Sequence, residues 1–286
     1  MVAPTAHAAA KEWLRPGHTA VVTGGASGIG YAAAARFVAA GLSVLLADID
    51  REKLLAARER LSGAGARVEA QVCDVSVRAE VAALRERAYA EFGAVHCVMN
   101  NAGAGFRMAE PWADHAKAER TLAINLWGVV HGCQAFIPAM LDGGEPGAII
   151  NTGSKQGITR PPGNWAYNLS KAGVLAYSES VAHALRQRGG HALSAHLLIP
   201  GFVYTGMISR PEKPPGAWTA DETVAFMLDR LERGDFYILC PDAETPRALD
   251  EKRMQWTADD LIRNRPPLSR WHPDYADAFR AYVAGA

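Results

Sequence analysis

Short apolar runs alternate along this chain with longer segments in which apolar residues recur every three or four positions. That alternation is the pattern of a parallel sheet joined by crossover helices, since each helix covers a sheet face and returns the chain to the same edge. The apolar runs predict strands over 19–23, 43–47, 67–72, 95–99, 148–151, 193–199 and 236–239. The amphipathic segments predict helices over 29–40, 51–61, 78–91, 119–140, 165–188 and 220–233. Val44-Leu45-Leu46-Ala47 is apolar at consecutive positions, as a strand covered on both faces must be. The predicted fold class is α/β, a single doubly wound parallel sheet with helices on both faces, spanning 17–241.

Two segments break the alternation. Between 204 and 219 lie Pro211, Pro214, Pro215 and Gly216, which neither a helix nor a central strand accepts. A loop of that length in a compact domain is functional or mobile, and it is read as a lid over a substrate. The extension 242–286 holds Trp256, Trp271, Tyr275 and Tyr282. It is too aromatic for solvated disorder and is expected to pack on the domain or on a neighbouring subunit.

At 286 residues, half of them apolar, the chain is long enough for one large buried core. Thirty basic residues balance thirty acidic ones, so nothing favours nucleic acid or an anionic membrane. No apolar run reaches the ~20 residues that span a bilayer. Residues 1–16 carry Lys11, Glu12 and Arg15 where a secretory core would lie, and are read as a flexible leader. Cys73, Cys97, Cys133 and Cys240 are scattered in apolar runs, which suits buried free thiols and offers no metal site. Reducing cytoplasm is the expected compartment.

Candidate chemistry begins after the first strand, at Thr23-Gly24-Gly25-Ala26-Ser27-Gly28-Ile29-Gly30. In a strand-turn-helix context, Gly24 permits the tight turn, Gly28 lets backbone approach a pyrophosphate, and Gly30 lets helix and strand pack closely. The helix N-terminus that follows, from Ser27 and Ile29, offers N–H groups to phosphates. Asp48 ends the second strand, where a carboxylate accepts hydrogen bonds from ribose hydroxyls. A 2′-phosphate there would meet a like charge, costing on the order of 1–4 kcal/mol. Ser27 supplies no cation to offset it, so NAD is expected over NADP. The alternative is that Asp48 merely caps the helix starting at Arg51. Asp74-Val75 and Asn101-Ala102-Gly103 follow the third and fourth strands and are candidates for adenine and ribose contacts, although asparagine is also a common turn former.

Tyr167 and Lys171 are four residues apart in a predicted helix, so phenol and ammonium share one face. A fixed cation beside a tyrosine favours the phenolate and brings its titration toward neutrality. Hydride transfer at a carbonyl carbon changes the charge on oxygen, so an acid/base must face that oxygen. Tyr167 fills that role, with Ser154 as a hydrogen-bond donor to the same oxygen. Lys171 is also expected to hold the cofactor ribose.

These motifs, in this order and spacing, resemble the short-chain dehydrogenase/reductase family over about residues 19–205: Thr-Gly-x-x-x-Gly-x-Gly, Asn-Asn-Ala-Gly, Ser154, Tyr-x-x-x-Lys and Pro200-Gly201. The resemblance implies a Rossmann fold and a catalytic trio of Ser154, Tyr167 and Lys171. It implies that Asn125 positions a proton-relay water, and that Pro200, Gly201, Val203 and Thr205 lie beside the nicotinamide. The activity implied is that of an NAD-dependent alcohol dehydrogenase or carbonyl reductase. Beyond Thr205 the resemblance thins, which leaves the oligomer open, with a homodimer the first choice. Phe106, Gln156, Trp165, Tyr204 and Met207 fall near where the cleft should open and suggest a hydrophobic secondary alcohol or ketone, though core packing explains them equally well. An epimerase or dehydratase and a non-catalytic NAD sensor are the competing readings.

Overall fold

The computed structural model describes residues 12–63, 67–189, 193–206, 212–242 and 245–285. Its first half runs β1 (Thr19–Thr23), α1 (Gly28–Ala39), β2 (Ser43–Asp48), α2 (Arg51–Ser62), β3 (Val68–Val72), α3 (Arg78–Phe92) and β4 (Cys97–Asn100). Then come α4 (His115–Leu122), α5 (Gly128–Gly143), β5 (Gly147–Thr152), α6 (Gln156–Thr159), α7 (Trp165–Arg188) and β6 (Leu193–Ile199). The chain closes with β7 (Val203–Tyr204), β8 (Trp218–Thr219), α8 (Ala220–Glu232), β9 (Tyr237–Leu239), α9 (Arg247–Ile262) and α10 (Ala276–Ala284).

Seven strands form one parallel sheet in the order β3-β2-β1-β4-β5-β6-β9, a Rossmann-type α/β fold. Successive strand residues face opposite layers because side chains alternate along a strand. Val22, Val44 and Leu46 pack with Phe37, Leu54 and Met227 on one side. Val21, Leu45, Val98 and Ile149 pack with Leu84, Phe136 and Val174 on the other. Both faces are therefore covered, which is why the strands read as continuous apolar runs. The strand order reverses between β1 and β4, and the crevice beyond their carboxyl ends is where such sheets bind ligands.

Three expectations need correction. The leader 1–16 is not loose over its described part: Trp13 is fully buried against Phe37, with ring centres 5.8 Å apart. The helix predicted over 119–140 is a longer helical run, 115–143, in which α4 and α5 are joined by a π-helical turn at Ala123–Trp127. That run is long and apolar enough in composition to cross a bilayer, yet it packs on α3, α7 and β4 as a core helix. The proline-rich segment carries short strands at its ends, β7 pairing with β8, while 207–211 lie outside the described residues.

The extension folds into α9 and α10 around Trp256, whose indole N–H donates to Ser269 Oγ at 2.8 Å and whose ring meets Phe279 and Tyr282. It packs back on α6 of the same chain. All four cysteines are free and buried, and burial pushes the Cys73 thiol up to about 12.

Candidate active site

A cleft of about 680 Å³ opens at the carboxyl ends of the strands, between the glycine turn and α7. On the turn side its wall holds Gly24, Ser27, Gly28, Ile29 and Asp48. Gly24 and Gly28 have φ of 64° and 55°, in the left-handed region that favours glycine. Gly30 lies behind the wall, where a Cβ would collide with the Gly24 carbonyl oxygen and with the Asn101 side chain. Ser27 makes no side-chain cap on α1, so the first N–H groups of that helix remain for a ligand.

Asp48 does not cap α2; Asp50 does, accepting from the Lys53 N–H. The Asp48 carboxylate instead accepts from the Ala26 N–H and the Asp50 N–H, both at 3.1 Å, and so ties the glycine turn to the end of β2. A cation does stand nearby: Lys53 borders the cleft, its ammonium 2.6 Å from Asp50.

Asp74, Val75, Asn101 and Gly103 also border the cleft. One Asp74 oxygen accepts from the Ser76 N–H and hydroxyl, and the other from Arg120 at 2.8 Å. Burial pushes this carboxyl up, but those hydrogen bonds together outweigh it and hold it below the ordinary range. The Asn101 amide donates to the carbonyls of Thr23 and Gly24, so it braces the turn as well as lining the cleft.

The opposite wall is formed by Ser154, Tyr167, Lys171, Pro200, Gly201, Val203 and Thr205. The Asn164 side chain caps α7 by accepting from the Tyr167 N–H, which puts Tyr167 in the first turn of a 24-residue helix. Lys171 follows one turn later, its Nζ 5.7 Å from the Tyr167 ring centre. The ammonium is buried and donates to the Thr152 carbonyl at 2.8 Å. Burial lowers it to about 8. Burial also pushes the Tyr167 phenol up, opposed by its hydrogen bond with Ser154. Among the protein's own groups desolvation thus outweighs the Ser154 hydrogen bond, and the phenol moves up rather than toward neutrality, contrary to the expectation from helix spacing. Asn125 sits within the π-helical turn, a feature frequent at functional sites. Its side chain accepts from the Ala104 N–H at 2.8 Å and donates to the Ala104 carbonyl at 2.9 Å. It thereby holds the loop after β4 against the π-helical turn, and its amide also donates to Ser170 Oγ of α7 at 3.3 Å. A Cβ on Gly103 would lie 3.4 Å from its oxygen.

The substrate candidates fare differently. Phe106, Gln156, Trp165 and Tyr204 do not border this cleft. The Phe106 carbonyl accepts from Asn164, the Gln156 N–H donates to Ser154 Oγ, and the Trp165 indole N–H is buried. Tyr204 lines an adjoining hollow with Tyr31 and Thr219. Met207 lies outside the described residues. Arg120 and Thr152 were missed: an arginine on an amphipathic helix reads as a solvated surface residue, and a strand-end carbonyl has no sequence signal at all.

At the amino ends of β1, β4 and β5 His18, His96 and Glu145 converge, the two imidazoles stacked at 3.7 Å. The Thr19 N–H donates to His96 Nδ1 at 3.0 Å, so His96 Nε2 carries the proton and donates to Glu145 at 2.6 Å. That leaves His96 no lone pair for a metal.

A family model described as short chain dehydrogenase matches residues 18–214. The chain is 31% identical over 259 residues to 1-deoxy-11-beta-hydroxypentalenate dehydrogenase of Streptomyces exfoliatus, covering 88% of this chain and 93% of the relative. It is 34% identical over 212 residues to 3beta-hydroxysteroid dehydrogenase 2 of Eggerthella lenta, covering 73% and 80%. Among solved structures it resembles a short chain dehydrogenase/reductase from Burkholderia phymatum in complex with NAD, at 29% identity and a TM-score of 0.81, covering 89% and 97%. It also resembles an alcohol dehydrogenase from the archaeon Thermococcus sibiricus complexed with 5-hydroxy-NADP, at 25% identity and a TM-score of 0.68, covering 75% and 90%.

Proposed function

The chain belongs to the short-chain dehydrogenase/reductase family, and from that premise we propose that it moves a hydride reversibly between NAD and a hydrophobic secondary alcohol or ketone, with Tyr167 as general acid/base. The observation that carries this reading is the meeting of Ser154, Tyr167 and Lys171 on one wall of a cleft whose other wall is the glycine turn. The residues fit a dinucleotide: left-handed glycines, uncapped N–H groups of α1, and a carboxylate at the end of β2. Bound there, the nicotinamide would accept or deliver the hydride.

The chain's own residues move the proton and hold the reacting oxygen. In the reductive direction the Tyr167 hydroxyl donates its proton to the developing alkoxide, and its burial favours that protonated form. The Ser154 hydroxyl donates a hydrogen bond to the same oxygen, as a fixed oxyanion donor does. Lys171 keeps a positive charge beside the phenolate left behind, anchored by the Thr152 carbonyl. In the oxidative direction Tyr167 must start as phenolate, so alcohol oxidation rises with pH while ketone reduction falls.

Asp48 supports NAD over NADP, since a 2′-phosphate would lie against a carboxylate. The relatives named for a hydroxysteroid and a hydroxypentalenate favour a bulky polycyclic alcohol. The test is a panel of secondary alcohols, steroids included, assayed with NAD and with NADP for formation of reduced cofactor. NAD binding with no turnover anywhere would mark a sensor. Isotope exchange into the substrate without net NADH would mark an epimerase.

A further inference from the structure

Lys155 follows Ser154 directly, but its ammonium does not border the cleft. It lies 3.0 Å from Asp242 Oδ2 and 2.6 Å from Asp250 Oδ2, and both carboxylate side chains are only 5% exposed. Asp242 Oδ2 also accepts from the Phe202 N–H at 3.2 Å. Between them passes Gly201, where a Cβ would collide with the Asp242 carboxylate and lie 2.9 Å from Lys155 Nζ. The Lys155 N–H donates to the Pro200 carbonyl at 3.2 Å. A single ammonium thus joins the turn carrying Ser154, the segment entering the cleft at Pro200 and Gly201, and the start of the C-terminal extension.

The coupling continues into α7. On α6, a Cβ at Gly157 would be 2.6 Å from the Lys171 carbonyl carbon, so α6 rests on the backbone of the residue that carries the buried ammonium. Helix α9, which bears Asp250, packs on α6. Among the described residues Arg253 and Arg270 also face Asp250, and Arg253 is itself tied to Thr245 Oγ1 at 3.0 Å. Burial pushes the Asp250 carboxyl up while Lys155 opposes it.

We propose that Asp242 and Asp250 are positioning residues: through Lys155 they fix the Ser154 turn and the Pro200-Gly201 segment, so that the catalytic wall is complete only with the extension docked. The effect on turnover rests on the reading of Ser154 and Tyr167 given above; the mechanical coupling does not.

Asp250→Asn separates the two. Hydrogen–deuterium exchange read by mass spectrometry should rise about tenfold or more across 153–160, with 19–48 unchanged within about twofold, as for local opening of one unit. The kcat for the alcohol oxidised fastest by the unmodified protein should fall about tenfold, as small misplacements of catalytic groups do, while NAD affinity holds within about twofold. If loss of the Asp250 charge beside Lys155, Arg253 and Arg270 unfolds that variant, Lys155→Met/Asp242→Asn/Asp250→Asn removes the ammonium and both of its carboxylates together. Native exchange across 153–160 in either folded variant overturns the coupling. Raised exchange with unchanged kcat overturns the positioning role. Absence of NADH formation by the unmodified protein defeats the enzymatic reading instead, and leaves the exchange result standing.

Discussion

The two walls of the cleft are built by different means. The glycine-turn wall is local: Gly24, Gly28, Gly30 and Asp48 come from a thirty-residue strand-turn-helix-strand unit, held by main-chain groups such as Ala26 N–H on Asp48. The tyrosine wall is assembled from the ends of β5 and β6 and the start of α7, with the C-terminal extension packed behind it. Lys171 is a buried charge in the wall, and Lys155, Asp242 and Asp250 are largely buried behind it. The first wall needs absent side chains. The second needs long side chains that reach across the fold, and each buried ion carries a desolvation penalty.

The sharpest break on the tyrosine side is Tyr167→Phe. NAD binding should persist, because the phenol oxygen does not hold the turn, while kcat drops about a thousandfold, within the range for loss of a general acid/base. The measurement is NADH formation alongside NAD titration of intrinsic fluorescence, and near-native turnover would refute the mechanism. On the turn side Gly30→Ala should act in the opposite sense. A methyl there meets the Gly24 carbonyl and the Asn101 amide, so the loop must shift, destabilising the fold by about 1–3 kcal/mol. NAD affinity falls with it. Unaltered melting and affinity would show the close approach to be dispensable.

The same contrast decided what could be read before the structure. All seven sheet strands fall where the apolar runs place them, with ends shifted by a residue or two, because burial on both faces leaves a local signature. The glycine spacing gave its wall almost whole. On the other wall, four-residue spacing brings Tyr167 and Lys171 together, but not the drying of the site that pushes the phenol up. Lys155 and Asp250 are ninety-five positions apart, and nothing in their spacing announces an ion pair. The helices of the extension were missed because Trp256 and Phe279 face each other across an irregular stretch with no shared periodicity. Trp13 was lost to an alanine-rich leader, although it fills a core position.

Asp48→Ala sharpens the comparison at smaller scale. Removing the carboxylate takes away the repulsion toward a 2′-phosphate and leaves Lys53, at the cleft edge and paired with Asp50, as a cation to attract one. The ratio of kcat/KM for NADP over NAD should rise about tenfold or more, equal to about 1.4 kcal/mol. The same variant should melt slightly lower, since Ala26 and Asp50 lose their acceptor. An unchanged ratio would remove Asp48 from cofactor selection.

Lys171→Met tests the converse on the charged wall, and its expected effect on stability is small. Lys171 is buried, with burial lowering it to about 8 from an ordinary value of 10.5. In the unfolded chain it binds its proton up to the ordinary value; in the folded chain it releases it earlier. Between those two values the unfolded state holds more protons, so stability rises with pH across that window. Below about 8 both states are charged and the folded state bears the full desolvation penalty. Replacing the ammonium by a thioether removes that penalty, at the loss of one hydrogen bond to Thr152. Lys171→Met should therefore melt higher near neutrality, by the equivalent of about 1 kcal/mol, while losing turnover. The advantage should shrink as pH climbs from about 8 toward 10.5, where the native lysine is neutral in both states. Denaturation series at matched pH decide it: a variant less stable than the native protein at every pH would mean the buried ammonium is held by favourable contacts beyond the Thr152 carbonyl, and the contrast between the walls would fail.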